Sequence, residues 1–204
     1  MLSAKFGHRL DVPLSVLIRN SFFAKLHPNI LTLLGFSFNL LAAVLILYDH
    51  WKTAAAVILI AGLFDMLDGA AARTMKRETK FGGFIDSVTD RYSDMVLVLS
   101  FIIYFSLQKN IHMVFLCSIA SIGFVLIPYT KARAEKFISS PCSVGIMERA
   151  ERIILITVGC FFNIIEPIFW ILAVLTHLTV LQRIHYTWKE CQKMPDVENK
   201  TIPS

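Results

Sequence analysis

Apolar residues run in blocks of about twenty along most of this chain, and polar residues gather at the joints between the blocks. A hydrocarbon layer about 30 Å thick takes about 20 residues of helix at 1.5 Å each, so blocks of this length predict membrane spans. Six are expected, at residues 30–48, 53–73, 86–107, 111–130, 152–165 and 167–186. The fifth is short, bounded by Arg152 and by a turn at Glu166-Pro167. Ahead of them, residues 11–26 repeat Leu14, Leu17, Ile18 and Phe22 on one helical face, with Ser15, Arg19 and Asn20 largely on the other. Asp11 is placed to cap this segment and Pro13 falls in its first turn, so a short basic helix lying in the membrane interface is expected. His27-Pro28-Asn29 breaks that helix, Asn29 and Thr32 open the first span, and Tyr48-Asp49-His50-Trp51 marks the opposite interface.

Charge orients this pattern. Of the 20 Lys and Arg, 18 fall on the side of the N-terminus and of the connection 74–85, which leaves only Lys52 and Lys109 opposite. By the positive-inside rule both termini are cytoplasmic. The expected fold is an all-α integral membrane protein: six transmembrane helices with an N-terminal interfacial amphipathic helix. Residues 1–27 form the juxtamembrane helix, 28–190 the six-helix membrane domain and 191–204 a polar C-terminal tail. Composition agrees, since 55% hydrophobic residues, 17% charged residues and a mean hydropathy of +0.61 describe a membrane protein rather than a soluble core. Cys117, Cys142, Cys160 and Cys191 lack CxxC spacing, the six histidines form no HExxH pair, and no GxxxxGK loop or internal repeat occurs. The first long apolar run is followed by no cleavage pattern and is expected to stay in the mature protein.

Against this background residues 65–90, DMLDGAAARTMKRETKFGGFIDSVTD, stand out. Asp65 and Asp68 share one helical face, and Asp86 and Asp90 share a face of the next helix. Brought together, four carboxylates repel and take up protons unless cations neutralise them, and all-oxygen ligation favours Mg²⁺ or Mn²⁺. Gly69, Arg73, Gly82 and Gly83 put bare backbone and a guanidinium beside them, as a phosphate-bearing substrate requires. Asp65 lies about 13 residues, or roughly 20 Å, into the second span, and Asp86 and Asp90 open the third from the cytoplasmic side. Facing lipid, each would cost about 2.5 to 3.5 kcal/mol, so they are expected to face a polar cavity open to the cytoplasm.

Asp65, Asp68, Gly69, Ala72, Arg73, Gly82, Asp86 and Asp90 fit the pattern D-x2-D-G-x2-A-R-x8-G-x3-D-x3-D without a departure. In this the chain resembles the CDP-alcohol phosphatidyltransferase family. The resemblance implies transfer of a phosphatidyl or archaetidyl group from a CDP-linked lipid to an alcohol, with release of CMP. It implies Asp65, Asp68, Asp86 and Asp90 as ligands of two Mg²⁺ or Mn²⁺ ions, and Asp90 also as general base. Asn29, Thr32, Asp68, Gly69, Arg73 and Gly82 would bind the CDP-lipid, either CDP-diacylglycerol or CDP-archaeol.

A second polar cluster lies on the same side: PYTKARAE after the fourth span and MERAER before the fifth. One reading is a topology signal with i,i+3 pairing at helix ends, and the other is a phosphate pocket. These stretches also resemble those of members that use inositol phosphate as acceptor. Lys131, Arg133, Arg149, Arg152 and Arg183 would then hold the acceptor phosphate; for Arg183, snorkelling to the interface is the alternative. Glycerol 3-phosphate competes as acceptor. Buried acids also build cation transporters, but the missing inverted repeat and the position of the acids near one face speak against that reading. The expected partners are the donor lipid, a phosphorylated polyol, the bilayer and a second copy of the chain in a homodimer, with no nucleic acid. The expected location is the cytoplasmic membrane of a prokaryote, with the site facing the cytoplasm.

Overall fold

In this computed structural model the structure describes residues 28–74 and 79–193, with side chains described from Asn29 to Ala70 and from Thr79 to Lys193. The interfacial helix expected at 11–26, the side chain of Arg73 and the tail beyond 193 lie outside the described residues. Among those residues the only regular elements are helices, with α1 at Pro28–Leu47, α2 at Trp51–Thr74, α3 at Lys80–Leu107, α4 at Ile111–Ala134, α5 at Arg149–Phe162 and α6 at Ile165–Gln192. Four of them, α1, α2, α4 and α6, are long and apolar enough to cross a membrane. The acids of α3, Asp86, Asp90 and Asp94, all lie before its apolar C-terminal half, and α5 has only 14 residues, short of the roughly 20 a straight span needs. The chain is that of a membrane protein.

Several helix ends depart from expectation, each for a physical reason. α3 begins at Lys80 rather than 86, because Thr79 caps it by accepting from the Gly82 N–H at 2.9 Å; the polar residues 80–85 are its first turns, not loop. α4 continues to Ala134 with Pro128 inside it. α5 runs from 149 to 162 rather than 152 to 165 and is closed by Asn163 at φ 60°. Pro167 does not end a helix. It sits in the first turn of α6, where its missing N–H has no intrahelical partner to lose.

Three short connections close on a residue in the left-handed region: Asp49 (φ 63°) between α1 and α2, Lys109 (φ 56°) between α3 and α4, and Asn163 (φ 60°) between α5 and α6. After each, the next N–H turns back onto the preceding helix at 2.9 Å, from His50 to Leu45 O, Asn110 to Phe105 O and Ile164 to Gly159 O. The Tyr104 hydroxyl donates to the Asp49 carboxylate at 2.8 Å, tying the first turn to the second helix pair. The chain is thus three helical hairpins, tied tightly at one end.

The hairpins interleave: α1 packs on α2 and α3, α4 on α3 and α6, and α5 on α2 and α6. Phe101 of α3 meets Phe169 of α6 edge to face at 5.1 Å in the middle of the core. α4 and α6 approach so closely at Gly123 that a methyl group there would overlap the Thr176 hydroxyl. Gly123→Ala is therefore expected to destabilise the protein by about 1 to 3 kcal/mol, the usual cost of overpacking, read as a lower unfolding temperature in detergent. This close approach matters because α6 also sets Arg183 against the Ile127 carbonyl of α4.

Candidate active site

α2 and α3 bring their acids together over α1, which packs on both. Thr32 of α1 donates its hydroxyl to Asp68 Oδ2 at 2.6 Å and orients that buried carboxylate. Asp65, Asp68 and Asp86 each place a carboxylate oxygen within 4.8 Å of the others. At an effective dielectric of about 20, two unit charges at that separation repel by roughly 3 to 4 kcal/mol. The arrangement is stable only with cations, and its all-oxygen donors fit a hard divalent ion. A divalent ion held by Asp65, Asp68 and Asp86 would supply positive charge to a pyrophosphate. Gly82 lies at the start of α3 beside Asn29 of α1, where an added Cβ would come 2.9 Å from Thr79 Oγ1 and 3.4 Å from Asn29 Oδ1. Gly69 follows Asp68 on α2, half-buried.

Asp90 stands one turn further along α3, at the border between the acidic cage and a cleft of 170 Å³. Arg149 of α5 bridges that border, with Nη1 2.7 Å from Asp65 Oδ2 and 2.9 Å from Asp90 Oδ1. Arg91, Lys131, Arg149, Arg152 and Arg183 line the cleft with Asp90, Asp94 and Glu148. With every group charged, five cations against three carboxylates leave a surplus of +2, which matches a phosphate dianion.

Backbone chemistry positions two of those cations. Pro128 has no N–H to give the carbonyl of Phe124 one turn back, and Arg152 Nη1 donates to that carbonyl instead at 3.2 Å. The Arg152 guanidinium also stacks 4.5 Å over the Phe124 ring and pairs with Asp94 Oδ2 at 3.0 Å. Arg183, buried at 2% exposure, donates to the carbonyl of Ile127 and, at 2.9 Å, to that of Val144. So deep a guanidinium with two fixed acceptors is anchored, not snorkelling. The loop carrying Val144 is pinned over α6 by the Met147 N–H on Thr179 Oγ1 at 3.0 Å. At Gly145, φ 135°, a Cβ would lie 2.6 Å from Thr179 Cγ2, so only glycine allows that approach.

The structure thus gathers Lys131, Arg149, Arg152 and Arg183 but not Arg133, which is exposed and stacks 4.8 Å over Phe137. The separation follows from helix geometry, since two residues turn an α-helix by about 200° and Lys131 and Arg133 point to opposite faces. Sequence reasoning passed over Arg91 and Asp94. Asp94, 4% exposed, continues the four-residue spacing of Asp86 and Asp90, and that stripe was the signal for it.

Residues 25–182 match the family model described as CDP-alcohol phosphatidyltransferase. The archaetidylinositol phosphate synthase of Pyrococcus horikoshii is 32% identical over 165 residues, covering 81% of this chain and 85% of its own. The crystal structure of Mycobacterium tuberculosis phosphatidylinositol phosphate synthase with CDP-DAG bound superposes with a TM-score of 0.77 at 27% identity, covering 96% of this chain and 99% of that one. The same enzyme in complex with manganese and citrate gives a TM-score of 0.79 at 27% identity over 94% of this chain and 93% of that one. An acidic cage fit for divalent cations, set beside a cationic cleft and inside a match that spans most of the sequence, makes this chain a member of the CDP-alcohol phosphatidyltransferase family.

Proposed function

We propose that this enzyme transfers a phosphatidyl or archaetidyl group from a CDP-linked lipid to inositol phosphate. The single observation that carries the acceptor is the cleft beyond Asp90, whose surplus of two positive charges suits a phosphate dianion. In this reading Asp65, Asp68, Asp86 and Asp90 hold two Mg²⁺ or Mn²⁺ ions. Asn29, Thr32, Gly69, Arg73 and Gly82 contact the CDP moiety together with Asp68. Lys131, Arg149, Arg152 and Arg183 hold the acceptor phosphate. An acceptor hydroxyl attacks the phosphorus that bears the lipid, its proton passes to Asp90, and the bond to CMP breaks. The names of the relatives, archaetidylinositol and phosphatidylinositol phosphate synthases, support inositol phosphate as acceptor.

All six helices are read as crossing the bilayer, with residues 1–27 and 191–204 on the cytoplasmic side of a prokaryotic cytoplasmic membrane. The bias of Lys and Arg supports that orientation. The working form is a homodimer.

The test is transfer of label from CDP-diacylglycerol and CDP-archaeol to a panel of acceptors. Inositol phosphate should be used best, and free inositol poorly, because it brings no phosphate for the cleft to hold. Better transfer to glycerol 3-phosphate would reassign the acceptor. Lys131→Gln or Arg152→Gln should raise the acceptor KM at least tenfold with little change in CDP-lipid affinity, since a charge-assisted contact is worth about 1.5 to 3 kcal/mol and about 1.4 kcal/mol is a factor of ten.

A further inference from the structure

Arg149 occupies two of the carboxylates that the proposed function gives to cations, lying 2.7 Å from Asp65 and 2.9 Å from Asp90. A guanidinium and divalent ions cannot both saturate Asp65 and Asp90, so Arg149 needs another seat when the cage fills. One is formed beside it. Asp94 lies a turn beyond Asp90, 4% exposed, and gives Oδ2 to Arg152 at 3.0 Å. Its Oδ1 is buried without a hydrogen-bond partner, and so is Arg149 Nε. These two orphaned atoms, an acceptor and a donor, face each other at 3.6 Å, just outside hydrogen-bond range. A side-chain shift of under an ångström would satisfy both, and buried polar atoms in a folded protein are seldom left unpaired.

Resting on the reading above, we propose that Asp94 is a positioning residue that acts through Arg149. With the cage empty, Arg149 neutralises Asp65 and Asp90. With divalent ions on those carboxylates, it moves onto the free oxygen of Asp94, which holds it toward the acceptor phosphate in the cleft. Asp94 therefore eases cation binding by giving the displaced guanidinium a partner. Without it, Arg149 stays on the ligands and competes.

The test is Mn²⁺ binding to the purified full chain in detergent, followed by the EPR signal of free Mn²⁺, with no substrate present. Arg149→Gln should bind Mn²⁺ about tenfold more tightly than the native enzyme, and Asp94→Asn about fivefold more weakly. In the double variant the Asp94 effect should shrink to less than twofold, because the residue it acts through is gone. A fivefold weakening that persists when Arg149 is absent would overturn the proposal, leaving Asp94 as a through-space charge and counter-ion of Arg152 alone. Should Asp94→Asn fail to fold, Arg149→Gln decides: a tenfold gain in Mn²⁺ affinity supports the competition, and unchanged or weaker binding overturns it. A native enzyme that binds no Mn²⁺ would sink the cation-holding cage itself, a failure distinct from that of Asp94.

Discussion

Asp90→Asn is expected to lower turnover by about 10² or more while CDP-lipid binding is retained, the scale on which loss of a general base is felt. The geometry favours this carboxylate over its neighbours. Asp65, Asp68 and Asp86 turn toward one another, whereas Asp90 lines the cationic cleft and is reached there by Arg149. It alone of the four motif acids borders both the cage and the space where an acceptor phosphate fits. Asparagine keeps its shape and removes the basic oxygen. Single-turnover transfer from labelled CDP-lipid checks the point, and a variant that turns over normally places the base elsewhere.

Chelation should have a still larger effect. Treatment with EDTA is expected to bring transfer to background, and addition of Mg²⁺ or Mn²⁺ to restore it. Among the described residues, three carboxylate oxygens within 4.8 Å face no lysine of their own, and the arginine that reaches Asp65 is shared with Asp90 and Asp94. Such a cage cannot place a pyrophosphate, itself anionic, beside its acids unless cations intervene. Full activity in chelator would refute a metal requirement.

The acidic half of the site was legible because its spacing is local. Spacings of three and four residues from one aspartate to the next fix a shared helical face whatever the helix packs against. Four of the helices, α1, α2, α4 and α6, were legible too, since each is a long apolar run. Boundaries were missed where a cap or a proline outweighed polarity: Thr79 starts α3 within a stretch that reads as loop, and Pro167 reads as a break but sits harmlessly in a first turn. The cationic half was legible in part. That Arg133 and Lys131 diverge follows from the helical angle alone. That Arg152 would take the carbonyl freed by Pro128 depends on its long side chain reaching from α5 across to α4, which no spacing along the chain encodes.

The three left-handed turns give the molecule the mechanics of hinged tongs. Asp65 and Asp68 ride on the first hairpin, Asp86, Asp90 and Lys131 on the second, and Arg149, Arg152 and Arg183 on the third, so no hairpin holds a complete half of the site. About 14 residues, or roughly 20 Å of helix, separate the turn at Asp49 from Asp65. A splay of about 5° at that fulcrum displaces the carboxylate by about 2 Å, close to one whole metal–oxygen bond. A ligand that bridges two hairpins would thus depend for its fit on the angle between helix pairs.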